Sequence, residues 1–151
     1  MSYEFKFRTY FSIQLLKSAR LFCDSSYEIE SKYASDFENL DVDLKSKLIG
    51  DDLSLTTGVI ISCVSFLEAN INEIFCDAFD KEHNERLNPL PQESIRLMGG
   101  LWNYIEKENP LDKYQIALEV AGKEKFDKGR EPYQSVDLLI ELRNKLVHYK
   151  T

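Results

Sequence analysis

The sequence has few of the residues from which disulfide frameworks and metal clusters are built. Its 151 residues include only three cysteines and two histidines, and the cysteines form no CxxC pair. Cys23, Cys63 and Cys76 are odd in number and lie within apolar helical patterns, so we expect reduced thiols in the core. The sequence therefore predicts no metal site and no cofactor.

Long apolar runs are also scarce. The most apolar stretch, GVIISCVSFLEANINEIF, is interrupted by Glu68, Asn70, Asn72 and Glu73, whereas a bilayer span needs about 18 apolar residues with few or no charges. The first ten residues, MSYEFKFRTY, lack the apolar segment and small residues of a signal peptide. These two observations predict a cytoplasmic protein that has no membrane partner.

Several common catalytic signatures are missing as well. The chain contains no GxSxG elbow, no GxxxxGK[ST] phosphate loop and no HExxH zinc motif. It also lacks a cysteine and a histidine at a spacing typical of cysteine nucleophiles. The sequence therefore gives no reason to assign the chain to the hydrolase, nucleotide-binding or metalloprotease classes that depend on these motifs.

Positive charge is in short supply. The formal net charge is −7, which is the wrong sign for nonspecific binding of nucleic acid, because such binding relies on Lys and Arg next to phosphates. Any contact with nucleic acid must therefore be local. The stretch from residue 123 onward is mildly basic, with Lys123, Lys125, Lys128, Arg130, Arg143, Lys145 and Lys150 against Glu124, Asp127, Glu131, Asp137 and Glu141.

The pattern that the sequence does contain is helical. Apolar residues recur every three or four positions, and prolines and glycines fall between the periodic segments. We predict an all-α fold, a single domain over residues 1–151 with four to five helices in an antiparallel bundle. The predicted helices cover about 3–33, 53–81, 93–108, 110–122 and 132 onward, and residues 35–52 form a polar connection with room for one short helix.

The pair Gly99-Gly100 falls inside the third predicted helix. Each glycine costs a helix about 1 kcal/mol relative to alanine. The sequence leaves two explanations open, a break in the helix or a close approach to a neighbouring helix.

The last helix has an unusually broad apolar face. At 100° per residue its apolar positions cover an arc of about 200°, and Arg143 falls inside that arc. We therefore expect this helix to pack on two sides, one against the core and one against a partner subunit. The apolar positions are Val136, Leu138, Leu139, Ile140, Leu142, Leu146 and Val147.

A second charge lies in an apolar stripe. Glu68 falls among the apolar residues of the second long helix, and a lone buried carboxylate or arginine is costly. We therefore predict that Glu68 pairs with Arg143. The plainest interpretation is that this pair only ties two helices together.

The ending LLIELRNKLVHYK resembles the last-helix signature of the HEPN superfamily, an arginine followed after four to six residues by a histidine. Arg143, Asn144 and His148 match that signature. The stretch SFLEANINEIF, which contains Glu68, is similar to the second helix of several such families, where an acidic residue faces the motif. The resemblance implies a HEPN-like antiparallel helical bundle.

The resemblance also implies an activity. Many HEPN proteins are metal-independent endoribonucleases, often toxins or antiphage effectors, and they dimerise so that two motifs line one cleft. Here Arg143 would bind the scissile phosphate or hold the geometry of the site, and Asn144 would donate a hydrogen bond and orient His148. His148 would transfer protons, since histidine titrates near neutral pH. Glu68, Lys145 and Tyr149 take supporting positions. The implied partners are RNA, a second copy bound through the last helix, and an antitoxin or another partner protein.

Two other functions remain open. One is a noncatalytic HEPN-like module that binds RNA, a nucleotide or a partner protein, with Glu68 and Arg143 purely structural. The other is a helical scaffold without nucleic-acid contact, in which His148 is an ordinary surface histidine near a helix C-terminus. His83 lies in a charged segment and is interpreted as solvated.

Overall fold

The computed structural model describes residues 9–80 and 85–148. These residues contain five α-helices and two short 3₁₀ helices, and the described part of the chain has no β-strand. The all-α prediction with four to five helices is confirmed. The α-helices are α1 (Phe11–Tyr33), α2 (Val42–Phe79), α3 (Gln92–Ile105), α4 (Pro110–Val120) and α5 (Tyr133–Val147), and the 3₁₀ helices are Phe37–Asn39 and Glu85–Leu87.

Helix α2 is longer than the sequence predicts. It runs for 38 residues from Val42, so the predicted polar connection is wrong for residues 42–52. The backbone N–H of Leu44 donates to the Asp41 side chain at 2.9 Å, which is a typical helix N-cap arrangement. Leu48 is buried four residues after Leu44, and this burial stabilises the extra turns.

The helices contribute to two compact units, each built from two stretches of chain. Among the described residues, the first unit contains 9–12, 67–80 and 85–137, and the second contains 13–66 and 138–148. Helices α1, α2 and α5 therefore each supply residues to both units. The single HEPN-like domain over residues 1–151 stays a prediction.

The first unit has a continuous hydrophobic core. Phe75 of α2 stacks on Trp102 of α3, with ring centroids 6.2 Å apart. The aromatic rings supply much of the apolar area that stabilises such a core. The buried members of this core are Ile71, Phe75, Ala78, Leu87, Ile95, Met98 and Ile105.

Gly99 lets two backbones come into contact in the first unit. Helix α3 continues through Gly99 and Gly100 without a break. A Cβ atom at Gly99 would lie 2.5 Å from the carbonyl oxygen of Ala78, whereas one at Gly100 would meet nothing within 4 Å. Of the two explanations that the sequence leaves open, the close helix approach is the one found.

A carboxylate also holds the start of α1 in the first unit. Glu73 accepts hydrogen bonds from the backbone N–H of Ser12 at 2.9 Å and from the Ser12 hydroxyl at 2.6 Å. Arg86 contacts Glu73 at 3.3 Å. Because the first N–H groups of a helix have no partner within the helix, the Glu73 carboxylate acts as a cap from another element.

The second unit has a smaller core and a more open surface. Ala19, Leu48, Val64 and Ile140 are buried there, and Phe22 packs directly on Gly58, where an added Cβ would lie 2.9 Å from the ring. Large exposed apolar side chains are frequent in this unit, and contiguous exposed apolar surface is typical of interaction sites. They include Ile13, Leu16, Leu21, Tyr27, Val42, Ile49, Leu53, Leu138, Leu142, Leu146 and Val147.

Helix α2 meets the criteria of length and composition for a membrane span. It contains an 18-residue window with a mean hydropathy of 1.5, of which 22% is buried. The prediction that no stretch is long and apolar enough is therefore wrong for this window. Core helices of soluble proteins meet the same criteria, so the observation points only weakly to a membrane. The cytoplasmic location stays a prediction.

Candidate functional site on the last helix

The three motif residues lie at the C-terminal end of α5. Arg143 and Asn144 are in the last turns of the helix, and His148 follows directly after Val147, the last helical residue. The backbone N–H of His148 donates to the carbonyl of Asn144 at 2.9 Å. Residues four apart on a helix lie on the same side, so Asn144 and His148 are neighbours.

The motif is open to solvent on one side only. Asn144 and His148 are exposed, whereas Arg143 is half-buried. Arg143 is therefore the least exposed of the three motif side chains. The arrangement places a histidine and an amide where a ligand can contact them, on the same helix end as a half-buried positive charge.

An apolar stripe runs along α5 on a different side of the helix from Asn144 and His148, which lie about 160° and about 120° around the helix axis from Leu142. Leu138 is 66% exposed, Leu142 is 44% exposed and Leu146 is 43% exposed, and the four-residue spacing puts all three on one side of the helix. We call these three residues the α5 stripe. Ile140 is the buried residue of α5. The predicted apolar arc is therefore buried on one side and exposed on another.

The supporting residues are placed less fully. Lys145 contacts Glu141 at 2.7 Å, and the Lys145 ammonium lowers the pKa of the Glu141 carboxyl. Glu68 is half-buried on α2. The predicted pair of Glu68 with Arg143 joins residues of different units and stays a prediction. Tyr149 and His83 lie outside the described residues.

Lys113 is a buried cation that the sequence analysis missed. It is 1% exposed, and its ammonium donates to Asn72 Oδ1 at 2.8 Å and to the Glu106 carbonyl at 2.6 Å. Burial lowers the pKa of Lys113, while the charge of Glu68 acts in the opposite direction. A signal was present, since Lys113 lies four residues before Ala117 on the apolar side of α4.

The basic segment before α5 carries less free charge than its composition suggests. Three of its side chains contact carboxylates of the first unit at 2.6 to 3.4 Å. A phosphate would have to compete with these carboxylates, so the segment is a weak electrostatic site for RNA. The pairs are Lys125 with Glu119, Lys128 with Asp112, and Arg130 with Asp127.

The three cysteines, predicted to be core residues, do not all lie in a core. Cys63 and Cys76 are half-buried, whereas Cys23 is exposed, so the core assignment is wrong for Cys23. Within residues 9–80 and 85–148, the structure has no group of three His, Cys, Asp or Glu side chains placed to hold a metal ion.

No family model, no curated protein and no solved structure matches this chain. The HEPN resemblance therefore rests on the residues of α5 and α2 alone.

Proposed function

We propose that this chain is a metal-independent endoribonuclease of HEPN type whose active site forms where two copies meet through α5. The observation that carries the proposal is the position of Asn144 and His148, which are exposed at the end of a helix whose apolar stripe is also exposed. A helix that carries both exposed candidate catalytic side chains and an exposed apolar surface supplies the two parts of a site shared by two subunits.

The length of α5 supports a shared cleft. Leu142 and His148 are six residues apart, which corresponds to about 9 Å of helix rise. In a twofold dimer the same surface of each copy contacts the other. Because six residues also place His148 about 120° around the helix from Leu142, a contact centred on the α5 stripe would put each His148 at the margin of the interface, and the proposed cleft forms there.

The chemistry requires only the motif side chains. The 2′-hydroxyl of RNA attacks its own phosphorus, the bond to the 5′-oxygen breaks, and the products are a cyclic phosphate and a 5′-hydroxyl. One His148 accepts the proton of the 2′-hydroxyl and the second gives a proton to the leaving oxygen. Arg143 stabilises the charge that builds on the phosphate, and Asn144 orients the imidazole.

The net negative charge of the protein limits how RNA can reach the proposed site. With a net charge of −7, the chain binds RNA in general only weakly. The proposal therefore includes either a specific RNA or a partner protein that delivers it. A toxin controlled by an antitoxin, an antiphage effector and an RNA-processing enzyme all fit this requirement.

Breaking the α5 stripe should remove both dimerisation and cleavage. A lysine in place of Leu138 or Leu142 would bury a charge in the proposed interface, which opposes association. We expect each variant to sediment as a monomer in analytical ultracentrifugation and to lose RNA cleavage in EDTA, while the wild type is a dimer.

Leu21→Lys is the matched control for these variants. Leu21 is 64% exposed on α1, so its replacement makes the same chemical change away from α5. The control should remain a dimer and keep its cleavage activity. A wild type that cleaves RNA as a monomer would overturn the shared site.

The second candidate is a noncatalytic HEPN-like module that binds RNA, a nucleotide or a partner protein. The ion pairs of Lys125, Lys128 and Arg130 favour it, because they leave little free positive charge for a large RNA substrate. Such a module would bind its ligand without cleaving it. His148→Ala would then change only the affinity for that ligand.

A further inference from the structure

An apolar groove lies between α1 and the first half of α2 in the second unit. Its volume is about 600 Å³. Each side of the groove contributes five residues, one side from α1 and the 3₁₀ helix that follows it, the other from α2. They are Ile29, Glu30, Tyr33, Ala34 and Phe37 on one side, and Leu48, Ile49, Asp52, Leu53 and Thr56 on the other. We call it the α1/α2 groove.

The spacing of these residues sets the length of the groove. On both sides the lining positions are i, i+1, i+4, i+5 and i+8. On α2 they form one continuous side of the helix over two turns. On the other side α1 ends at Tyr33, Ala34 lies in the following turn and Phe37 begins the 3₁₀ helix. Eight residues correspond to about 12 Å along a helix axis. The side of α2, next to the end of α1 and the 3₁₀ helix, forms a groove into which the side-chain ridge of another helix can pack.

The groove is apolar and open. Leu48 is buried at its floor, and Ile29, Tyr33 and Phe37 are half-buried. On the α2 side, Leu53 is 65% exposed and Ile49 is 57% exposed, so two large aliphatic side chains border the opening in water. A ligand that covered Leu53 and Ile49 would remove their apolar surface from water, which favours binding.

The charges of the groove are all negative. Glu30 and Asp52 are the ionisable acids among the ten lining residues, and none of the ten is basic. The Ser26 hydroxyl donates to Asp52 at 2.5 Å, which fixes this carboxylate at the edge of the groove. The surrounding stretch 13–66 has nine acids (Asp24, Glu28, Glu30, Asp36, Glu38, Asp41, Asp43, Asp51, Asp52) against five bases (Lys17, Arg20, Lys32, Lys45, Lys47).

From these features we propose that the α1/α2 groove binds an amphipathic helix of a partner protein, with an apolar side in the groove and basic residues beside it. Helix-in-groove recognition places side chains at i, i+3, i+4 and i+7 of the ligand into such a surface. Basic flanks match Glu30 and Asp52. The α5 helix of a second copy fits less well, because it carries both signs of charge, in Asp137, Glu141, Arg143 and Lys145. The inference does not rest on the proposed nuclease activity.

The test uses a synthetic peptide and isothermal titration calorimetry. The probe is a helical 16-residue peptide with leucines at i, i+3, i+4, i+7, i+8 and i+11 and lysines at the flanking positions. A second peptide has glutamates in place of the lysines. The protein variants are Leu53→Lys and Glu30→Gln, and the matched controls are Leu21→Lys and Asp43→Asn.

We expect the lysine-flanked peptide to bind the wild type at least about tenfold more tightly than the glutamate-flanked one, because opposite charges meet at the groove. Leu53→Lys should weaken binding at least about tenfold, and Glu30→Gln should weaken it less, as expected for a central apolar contact and a peripheral charge. Both control variants should bind like the wild type.

Three results would overturn the proposal. The first is no binding of the lysine-flanked peptide, and the second is equal loss of binding in Leu53→Lys and Leu21→Lys. The third is conversion of a dimer to a monomer by Leu53→Lys in ultracentrifugation, which would assign the groove to a second copy. Since calorimetry needs no RNA, failure here is independent of the nuclease proposal.

Discussion

Alanine in place of His148 should lower the rate of RNA cleavage by about a hundredfold or more, the usual contribution of a general acid or base. The loss of cleavage rate should be larger than when one catalytic side chain is removed from a monomeric enzyme. One substitution here removes the histidine from both halves of a symmetric dimer. His148 is exposed after the end of α5, so the variant should fold and dimerise like the wild type.

The measurement is single-turnover cleavage of labelled RNA in EDTA, with RNA affinity from fluorescence anisotropy. In the variant the cleavage rate should fall while affinity stays close to that of the wild type, which separates catalysis from binding. Gln134→Ala is the control, since Gln134 is also exposed on α5 but lies outside the motif. Unchanged cleavage in His148→Ala would remove the histidine from the mechanism.

Alanine in place of Gly99 should destabilise the protein by about 2 kcal/mol, even though alanine favours helices by about 1 kcal/mol over glycine. The added Cβ would lie 2.5 Å from the Ala78 carbonyl oxygen and 3.2 Å from the Phe79 Cα. Both atoms belong to backbone, so no side chain can move aside, and the two helices must separate. For a chain of this length the melting temperature should fall by about 4 to 8 °C.

Gly100→Ala makes the same chemical change one residue further along α3. Nothing lies within 4 Å of a Cβ at Gly100, and the residue is exposed, so helix propensity should raise stability by about 0.5 to 1 kcal/mol. Urea denaturation of both variants measures the difference. If the two substitutions have the same effect, the close contact of α3 with α2 is absent in solution.

Local signals made α3, α4 and α5 predictable. Pro110 begins α4 after Asn109, whose side chain accepts a hydrogen bond from the Leu111 N–H at 2.9 Å. Gly122 follows the end of α4 with a positive φ of 66°, and Pro132 directly precedes α5. These residues act through their own backbone geometry, so a sequence shows their effect without knowledge of the fold.

The early start of α2 was harder to predict because its first turns are polar. The decisive residues are Asp41, which caps the helix, and Leu48, which is buried in the second unit. Packing of this kind outweighs weak local preference. Lys113 shows the same limitation, since its burial depends on Asn72 of another helix and on the Glu106 carbonyl.

The candidate site was predictable in position and less so in its surroundings. The spacing of Arg143, Asn144 and His148 predicts that they share the end of one helix, which the structure has. Periodicity also predicts that α5 and α2 have apolar sides. It does not predict whether another element covers them, and that is why the exposure of the α5 stripe and of Leu53 emerged only from the structure.

The most direct test of the proposed function is incubation of purified wild-type protein with mixed cellular RNA in excess EDTA, followed by chemical analysis of the new RNA ends. The proposal predicts cleavage that leaves cyclic phosphates and 5′-hydroxyl ends, because the 2′-hydroxyl is the nucleophile. Cleavage that leaves 5′-phosphates, cleavage that EDTA abolishes, or binding of RNA without any cleavage would contradict it.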